Sequence, residues 1–205
     1  MESFTILDGI AAPLLKSNID TGVIIALRFL RSRATDLGAG LFADWRYTAD
    51  GAEIPEFVLN RPRYRESRIL IAGANFGCGS SREAAVWALL RFGIRCVIAP
   101  SFGEIFYDNA CENGLLPIML PEDLVGRLVA RVETAGEPRL TVDLECCKIT
   151  APAGAQIAFE VPEERRAALL AGLDETSLIL QHEGEIDAYR ARAAAARPWL
   201  YGKLG

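Results

Sequence analysis

Histidine is almost missing from this chain: His182 is the only one in 205 residues. It lies beside Glu183 and far in sequence from Cys78, so a Cys–His nucleophile has no evident base, which argues against a thiol hydrolase. His182 reads as a surface or helix-start residue. Cysteine occurs five times, at Cys78, Cys96, Cys111, Cys146 and Cys147, but never as C-x-x-C. A zinc or iron–sulfur site held wholly by this chain is therefore not expected. No segment approaches the ~20 apolar residues of a membrane span. The 22 basic residues are scattered and outnumbered by 27 acidic ones, so nucleic acid is not an expected partner. The start of the chain carries Glu2 and Asp8 and lacks the basic-then-apolar order of a signal peptide, so a cytoplasmic location is expected. Internal repeats and low-complexity tracts are absent.

With 51% hydrophobic content, the chain is long enough to bury a sizeable core as one domain, or one domain with a tail. Its middle alternates strand and helix at the spacing of parallel crossovers: strand 69–72, helix 81–92, strand 96–99, helix 102–112 and strand 115–120. Ala85, Ala88, Leu89 and Phe92 share one face of the first helix, and Gly93 stops it. Trp87 is read as core, with a binding wall as the alternative. Ser101 is placed as the cap of the next helix, Gly114 ends it, and Pro121 opens a third with Leu124, Leu128, Val129 and Val132 on one side. Cys96 and Cys111 fall in apolar positions and read as small hydrophobes.

Around this unit, segments 4–10, 23–25, 140–149 and 156–161 have strand character, which puts Cys146 and Cys147 on opposite faces of one strand. A turn is expected at Pro152-Ala153-Gly154, and Pro162 begins a helix. From about 182 a charged, alanine-rich helical tail runs to Arg197-Pro198. Residues 31–53, with Gly38, Gly40 and Gly51 among polar residues, read as a long mobile loop of the functional kind.

The most informative stretch is Asn75-Phe76-Gly77-Cys78-Gly79-Ser80-Ser81-Arg82-Glu83, between the strand at 69–72 and its helix. A strand that ends in glycines and feeds a helix start leaves backbone N–H groups unpaired and aimed at one spot. Ser80, Ser81 and the Arg82 guanidinium are at that spot, which suits a carboxylate. A P-loop needs lysine before its Ser/Thr, where this chain has Gly79. Arg82 replaces the third glycine of a dinucleotide fingerprint, and no glycine follows either serine at the spacing of a nucleophile elbow. Read as structure alone, the stretch is a serine-capped helix start.

Gly77-Cys78-Gly79-Ser80-Ser81-Arg82-Glu83, with Trp87-Ala88-Leu89 behind it, resembles the small subunits of 3-isopropylmalate dehydratase, relatives of the aconitase swivelling domain. The likeness runs almost end to end through Ser17-Asn18-Ile19-Asp20-Thr21, Leu41-Phe42-Ala43-Asp44-Trp45-Arg46-Tyr47, Phe57-Val58-Leu59-Asn60, Val97-Ile98-Ala99-Pro100-Ser101-Phe102, Asn113-Gly114-Leu115-Leu116-Pro117 and Gly172-Leu173-Asp174. It implies an α/β fold: one swivelling β/β/α domain over 1–205, with a parallel βαβ core, additional strands and the helical tail.

The resemblance also implies a hydro-lyase in two polypeptides, working in leucine biosynthesis. A large subunit would carry a [4Fe–4S] cluster whose open iron acts as Lewis acid on the substrate hydroxyl, and this chain alone would bind none. Ser80 matches the serine that, as alkoxide, removes the proton alpha to a carboxylate. Arg82 would clamp a carboxylate in a bidentate fork, and Ser81 would donate to the same group. Asp20 and Thr21 match an active-site segment and are expected to touch a hydroxy-dicarboxylate substrate. Leu41 and Phe42, with Trp45 and Val23 to Leu27, are expected to form an apolar pocket for a branched alkyl group. Arg28, Arg31 or Arg33 would reverse that preference if one reached the cleft; all three read as solvated helix surface.

The sequence departs from the family pattern at Gly22, Ala74 and Ala84, where relatives commonly carry an acidic residue, an acidic residue and a histidine, and at Ala26-Leu27-Arg28, where Pro-Lys-Gln is usual. These changes surround the site and leave the substrate open: a sister hydro-lyase acting on a methylated malate or homoaconitate is one alternative, a non-catalytic binding protein of the same fold another.

Overall fold

Strands β2 (Ser67–Ala72), β3 (Cys96–Ala99) and β4 (Leu116–Met119) are apolar and buried along nearly their whole length. Such runs belong in a parallel sheet covered on both faces, and these strands pair in parallel, with β1 (Ile6–Leu14) completing the parallel set beside β2. Beyond β1 the sheet turns antiparallel through β5 (Arg139–Asp143), β6 (Lys148–Thr150) and β7 (Gln156–Ala158), giving the order β4-β3-β2-β1-β5-β6-β7. The computed structural model describes residues 1–31 and 36–201.

The two crossovers between β2 and β4 carry α4 (Glu83–Phe92) and α5 (Glu104–Asn113), which pack on each other. Gly93 and Gly114 close them with left-handed backbone, as glycine can do without strain. Helix α6 (Glu122–Thr134) buries Val125, Leu128, Val129 and Val132 and packs across β1 and β3, while Leu124 is only half-buried. Helix α7 (Glu163–Ala171) follows Pro162 as expected, and the core extends from Phe4 to Leu169. Past it, α8 (Glu175–Leu180), α9 (Glu183–Ala196) and α10 (Pro198–Tyr201) form the tail; α9 buries no residue, and His182 is its exposed N-cap.

Several local expectations are corrected. Thr21–Ile24 is a single helical turn, α1, because Asp20 turns back onto the N–H groups of Gly22 and Val23; only Ile25 pairs as a strand would, with Leu41. The segment 140–149 breaks in the middle. Asp143 accepts from the N–H of Cys146 and Cys147 takes a left-handed φ of 50°, so both cysteines lie in a turn between β5 and β6. Gly103, not Ser101, is the N-cap of α5; the Ser101 hydroxyl accepts from the N–H of Asn75. Helix α4 starts two residues later than expected, with Arg82 in extended conformation. Trp87 is 42% exposed and not part of the core.

Of the stretch read as a mobile loop, residues 32–35 lie outside the described residues, and 36–53 contain α2 (Leu37–Gly40) and α3 (Ala43–Arg46) and are pinned by a buried arginine. Arg46 is 6% exposed; its Nε donates to Asn60 Oδ1 at 3.1 Å and its Nη1 to the Leu41 carbonyl at 3.4 Å. Burial lowers its pKa from the usual arginine value, yet an arginine stays charged at any physiological pH. Arg33 lies outside the described residues.

Candidate active site

Parallel strands end on the same side of a sheet, so the loops that follow β1, β2 and β3 are neighbours in space. Residues 74–78, after β2, are stitched to both flanking loops. On one side Asn18 N–H donates to Ala74 O (2.8 Å), Gly77 N–H to Ile19 O (2.8 Å) and Thr21 N–H to Cys78 O (3.0 Å). On the other, Phe76 N–H donates to Ser101 O (3.0 Å) and Gly103 N–H to Phe76 O (2.9 Å). The approach is close enough that a Cβ on Gly77 would sit 2.2 Å from Phe106 Cγ, and one on Gly103 would sit 2.6 Å from the Gly77 carbonyl oxygen.

This platform holds up the corner that the sequence singled out. Thr21, 3% exposed, donates its hydroxyl to the Ser80 carbonyl at 2.7 Å. Ser80 and Ser81 are exposed and Arg82 is half-buried. Among the described residues, the N–H groups of Ser80, Ser81, Arg82, Glu83 and Ala84 have no acceptor. Arg82 Nη1 reaches only the Ile25 carbonyl, at 3.3 Å, and its guanidinium forms no ion pair among the described residues. Thr21, Ser80, Ser81 and Arg82 line a concavity of about 180 Å³, closed on its far side by Gly103 to Phe106. Open amides, a guanidinium with no carboxylate partner among the described residues and two hydroxyls around one small hollow make a receptor for an anion, with exposed Glu104 as the one acidic residue of its lining.

The far wall, with Ile105 at 52% exposure, is the part that reading the sequence missed. Its signal was present in Pro100 to Gly103, the turn after the strand next to the one that feeds the corner. Neighbouring parallel strands bring such turns together.

Other expected contacts are placed elsewhere. Oδ1 of Asp20 is engaged by its own helix turn, at 2.7 Å from Gly22 N and 3.0 Å from Val23 N. The Thr21 hydroxyl proton is directed at Ser80, so Thr21 lines the hollow while its donor is committed to the backbone, and Asp20 is not part of the lining. Leu41 and Phe42 are 0% exposed and offer a ligand no surface, which corrects their assignment as pocket lining. Phe42 stacks on Trp45 and donates its N–H to the Ile24 carbonyl at 2.9 Å, so it braces α1 from behind. Arg28 pairs with Asp44 beside a separate hollow of about 720 Å³ lined by Phe29, Ala43, Tyr47 and Thr48. That hollow is larger, but it contains none of the serine corner. Arg31 is exposed.

The departure at Gly22 has a physical reading. A Cβ there would stand 3.0 Å from Arg82 Nη1 and 2.9 Å from Asp20 Oδ1, so the missing side chain gives the guanidinium room to lie over α1.

A cluster or metal does not fit the donors of the described residues. Among the described residues, no three His, Cys, Asp or Glu side chains converge. Burial pushes the Cys111 thiol up to about 12 and the Cys96 thiol further still, which keeps both protonated.

Residues 1–123 match the aconitase C-terminal domain family, and residues 127–163 match the family described as LeuD_N. The 3-isopropylmalate dehydratase small subunit of Rhodospirillum centenum is 53% identical over 203 residues, covering 98% of this chain and all of that one. That of Paracoccus denitrificans is 51% identical over 201 residues with the same coverage. Among solved structures, 3-isopropylmalate dehydratase (leuD) from Methanocaldococcus jannaschii aligns with a TM-score of 0.64 at 30% identity, over 90% of this chain and 99% of that one.

Proposed function

The chain belongs to the aconitase C-terminal domain family, among the small subunits of 3-isopropylmalate dehydratase, and on that premise we propose how its corner serves the reaction. The reaction interconverts 2-isopropylmalate and 3-isopropylmalate by dehydration and rehydration, and the chain performs it with a large subunit. The observation that carries the reading is the Arg82 guanidinium, without a carboxylate partner among the described residues, beside Ser80 and a run of open amides.

In this proposal Arg82 and the amides of Ser81 to Ala84 hold one substrate carboxylate. Ser80 Oγ takes the proton from the carbon alpha to a carboxylate, and the C–H electron pair becomes the double bond as the neighbouring hydroxyl departs. A free serine is too weak an acid to exist as alkoxide near neutral pH. Positive charge and oriented N–H groups in a closed, dry site favour its ionised form. Exposed Ser80 and Ser81 become such a site only when another surface covers the hollow, which is the part we give to the large subunit. In the same proposal the [4Fe–4S] cluster is carried by that partner, a reading supported by the lack of three converging His, Cys, Asp or Glu side chains among the described residues. Exposed Ile105 offers apolar surface for a branched alkyl substituent. A cytoplasmic location belongs to the same proposal; five free cysteines suit a reducing compartment.

The test is reconstitution with the large subunit, comparing 3-isopropylmalate, citramalate and homocitrate. We expect activity only in the complex and the highest kcat/KM for 3-isopropylmalate. Ser80→Ala should lower kcat by about three orders of magnitude or more with substrate affinity kept, since a base acts mainly in the transition state. Near-normal turnover in that variant would place the base elsewhere, and a stoichiometric, active cluster on this chain alone would refute the two-subunit reading.

A further inference from the structure

An anion receptor made of a helix start and an arginine has an internal competitor whenever a carboxylate of its own chain is within reach. Two carboxylates qualify: that of exposed Glu104 lines the far wall of the hollow, and the one on the corner's own helix start is Glu83, the first residue of α4 and the immediate neighbour of Arg82. The open amides and the guanidinium would attract it as they attract a substrate. The structure shows it held elsewhere. Glu83 Oε1 accepts from Asn113 Nδ2 at 2.9 Å, from the last residue of α5.

The Asn113 amide has one possible orientation. Its Oδ1 accepts from Trp87 Nε1 at 2.9 Å, and its Nδ2 also donates to the Asn109 carbonyl at 2.8 Å. An indole N–H can only donate and a carbonyl can only accept, so oxygen must face Trp87 and nitrogen must face Glu83. The arrangement also explains why a tryptophan on α4 remains 42% exposed: its N–H orients Asn113.

We propose that Asn113, oriented by Trp87, is a positioning residue that keeps the Glu83 carboxylate out of the anion corner, leaving Arg82 and the adjacent amides free for the substrate carboxylate. This rests on the proposed function for the identity of the substrate, but not for the competition itself. Three variants test it in the full chain, assembled with the large subunit: Asn113→Ala, Glu83→Gln and the two combined. Asn113→Ala should raise KM for 3-isopropylmalate about tenfold with kcat within about twofold, the signature of lost ground-state binding. Adding Glu83→Gln should return KM to within about twofold of the single Glu83→Gln variant, because an uncharged amide no longer competes. Trp87→Phe, which deletes the N–H, should move KM in the same direction and be relieved by the same substitution. A purely structural role for Asn113 predicts the opposite: removing a charge at Glu83 would not restore what a loosened helix end had lost.

A KM unchanged in Asn113→Ala, or a loss that persists in the double variant, would overturn the proposal. A wild-type complex that ignores isopropylmalate would instead sink the functional reading. The competition is then read by titrating the ¹⁵N-labelled chain with malonate and following the amides of Ser81 to Ala84. Weaker binding in Asn113→Ala, restored in the double variant, is the expected result. Shifts that are absent, or equal in all variants, would refute it.

Discussion

Thr21 gives its buried hydroxyl proton to the carbonyl of Ser80 at 2.7 Å, across a sequence separation of 59. The bond ties down the backbone just ahead of α4, from which Ser80, Ser81 and Arg82 project. Thr21→Val keeps the shape and removes the donor, leaving a partly buried carbonyl unpaired. We expect the reconstituted complex to lose about tenfold in kcat, with a stability cost of about 1–2 kcal/mol. Steady-state kinetics and a urea titration separate the two effects; an unchanged kcat would mean that the Ser80 backbone is held without this bond.

Arg46 should be more costly to lose than its position in a glycine-containing connection suggests. It satisfies Asn60 Oδ1 and the Leu41 carbonyl, and its guanidinium lies 5.0 Å from the Phe92 ring centroid. Arg46→Met fills most of the volume but orphans those acceptors. A loss of about 2–4 kcal/mol is expected by chemical denaturation. A loss under about 1 kcal/mol would show that the segment is as loosely held as its sequence implies.

Gly77→Ala should disable the corner without touching any of its polar groups. The residue has φ of +74° and a Cβ there would stand 2.2 Å from Phe106 Cγ, within an aromatic trio in which Phe102 stacks on Phe106 and Phe76 meets both edge-on. Backbone strain and overpacking together should cost about 2–4 kcal/mol and displace the Ile105 wall. Thermal denaturation and activity of the complex should both fall; native values would contradict the close packing.

Thiol chemistry should follow burial. Cys146 is exposed and should be alkylated first by iodoacetamide at neutral pH, while Cys96 and Cys111 resist until the protein unfolds. Burial raises the Cys111 thiol from 9.0 to about 12, so the folded state holds its proton more tightly than the unfolded one. The associated stability is complete below pH 9.0 and declines as pH rises toward about 12. Denaturant midpoints across that window should fall less in Cys111→Ala than in wild type; equal slopes would exclude Cys111 as a source of the loss.

The central β2-α4-β3-α5-β4 unit was readable because its signals are local: apolar runs of strand length, a 3.6-residue stripe on α4, and Gly93 and Gly114 just past the helix ends. The serine corner was readable for the same reason, since Gly79 to Glu83 carry loop, helix start and functional groups in one stretch. Tertiary contacts decided the rest. Val23 to Ile25 has strand composition, yet Asp20 caps the N–H groups of Gly22 and Val23 and curls it into a turn. Leu41 and Phe42 look like pocket lining until the fold covers them completely, with Leu41 bridged to Ile25 and Phe42 against Trp45 and Phe57. Trp87 reads as core until Asn113, 26 positions on, supplies an acceptor at the surface. In each case the deciding partner lies in another part of the chain or depends on side-chain geometry. Propensity and periodicity register only what a residue prefers beside its neighbours, so the sequence alone determined the scaffold and the anion corner. Which groups are free to meet a substrate, and which are already committed, only the folded contacts decided.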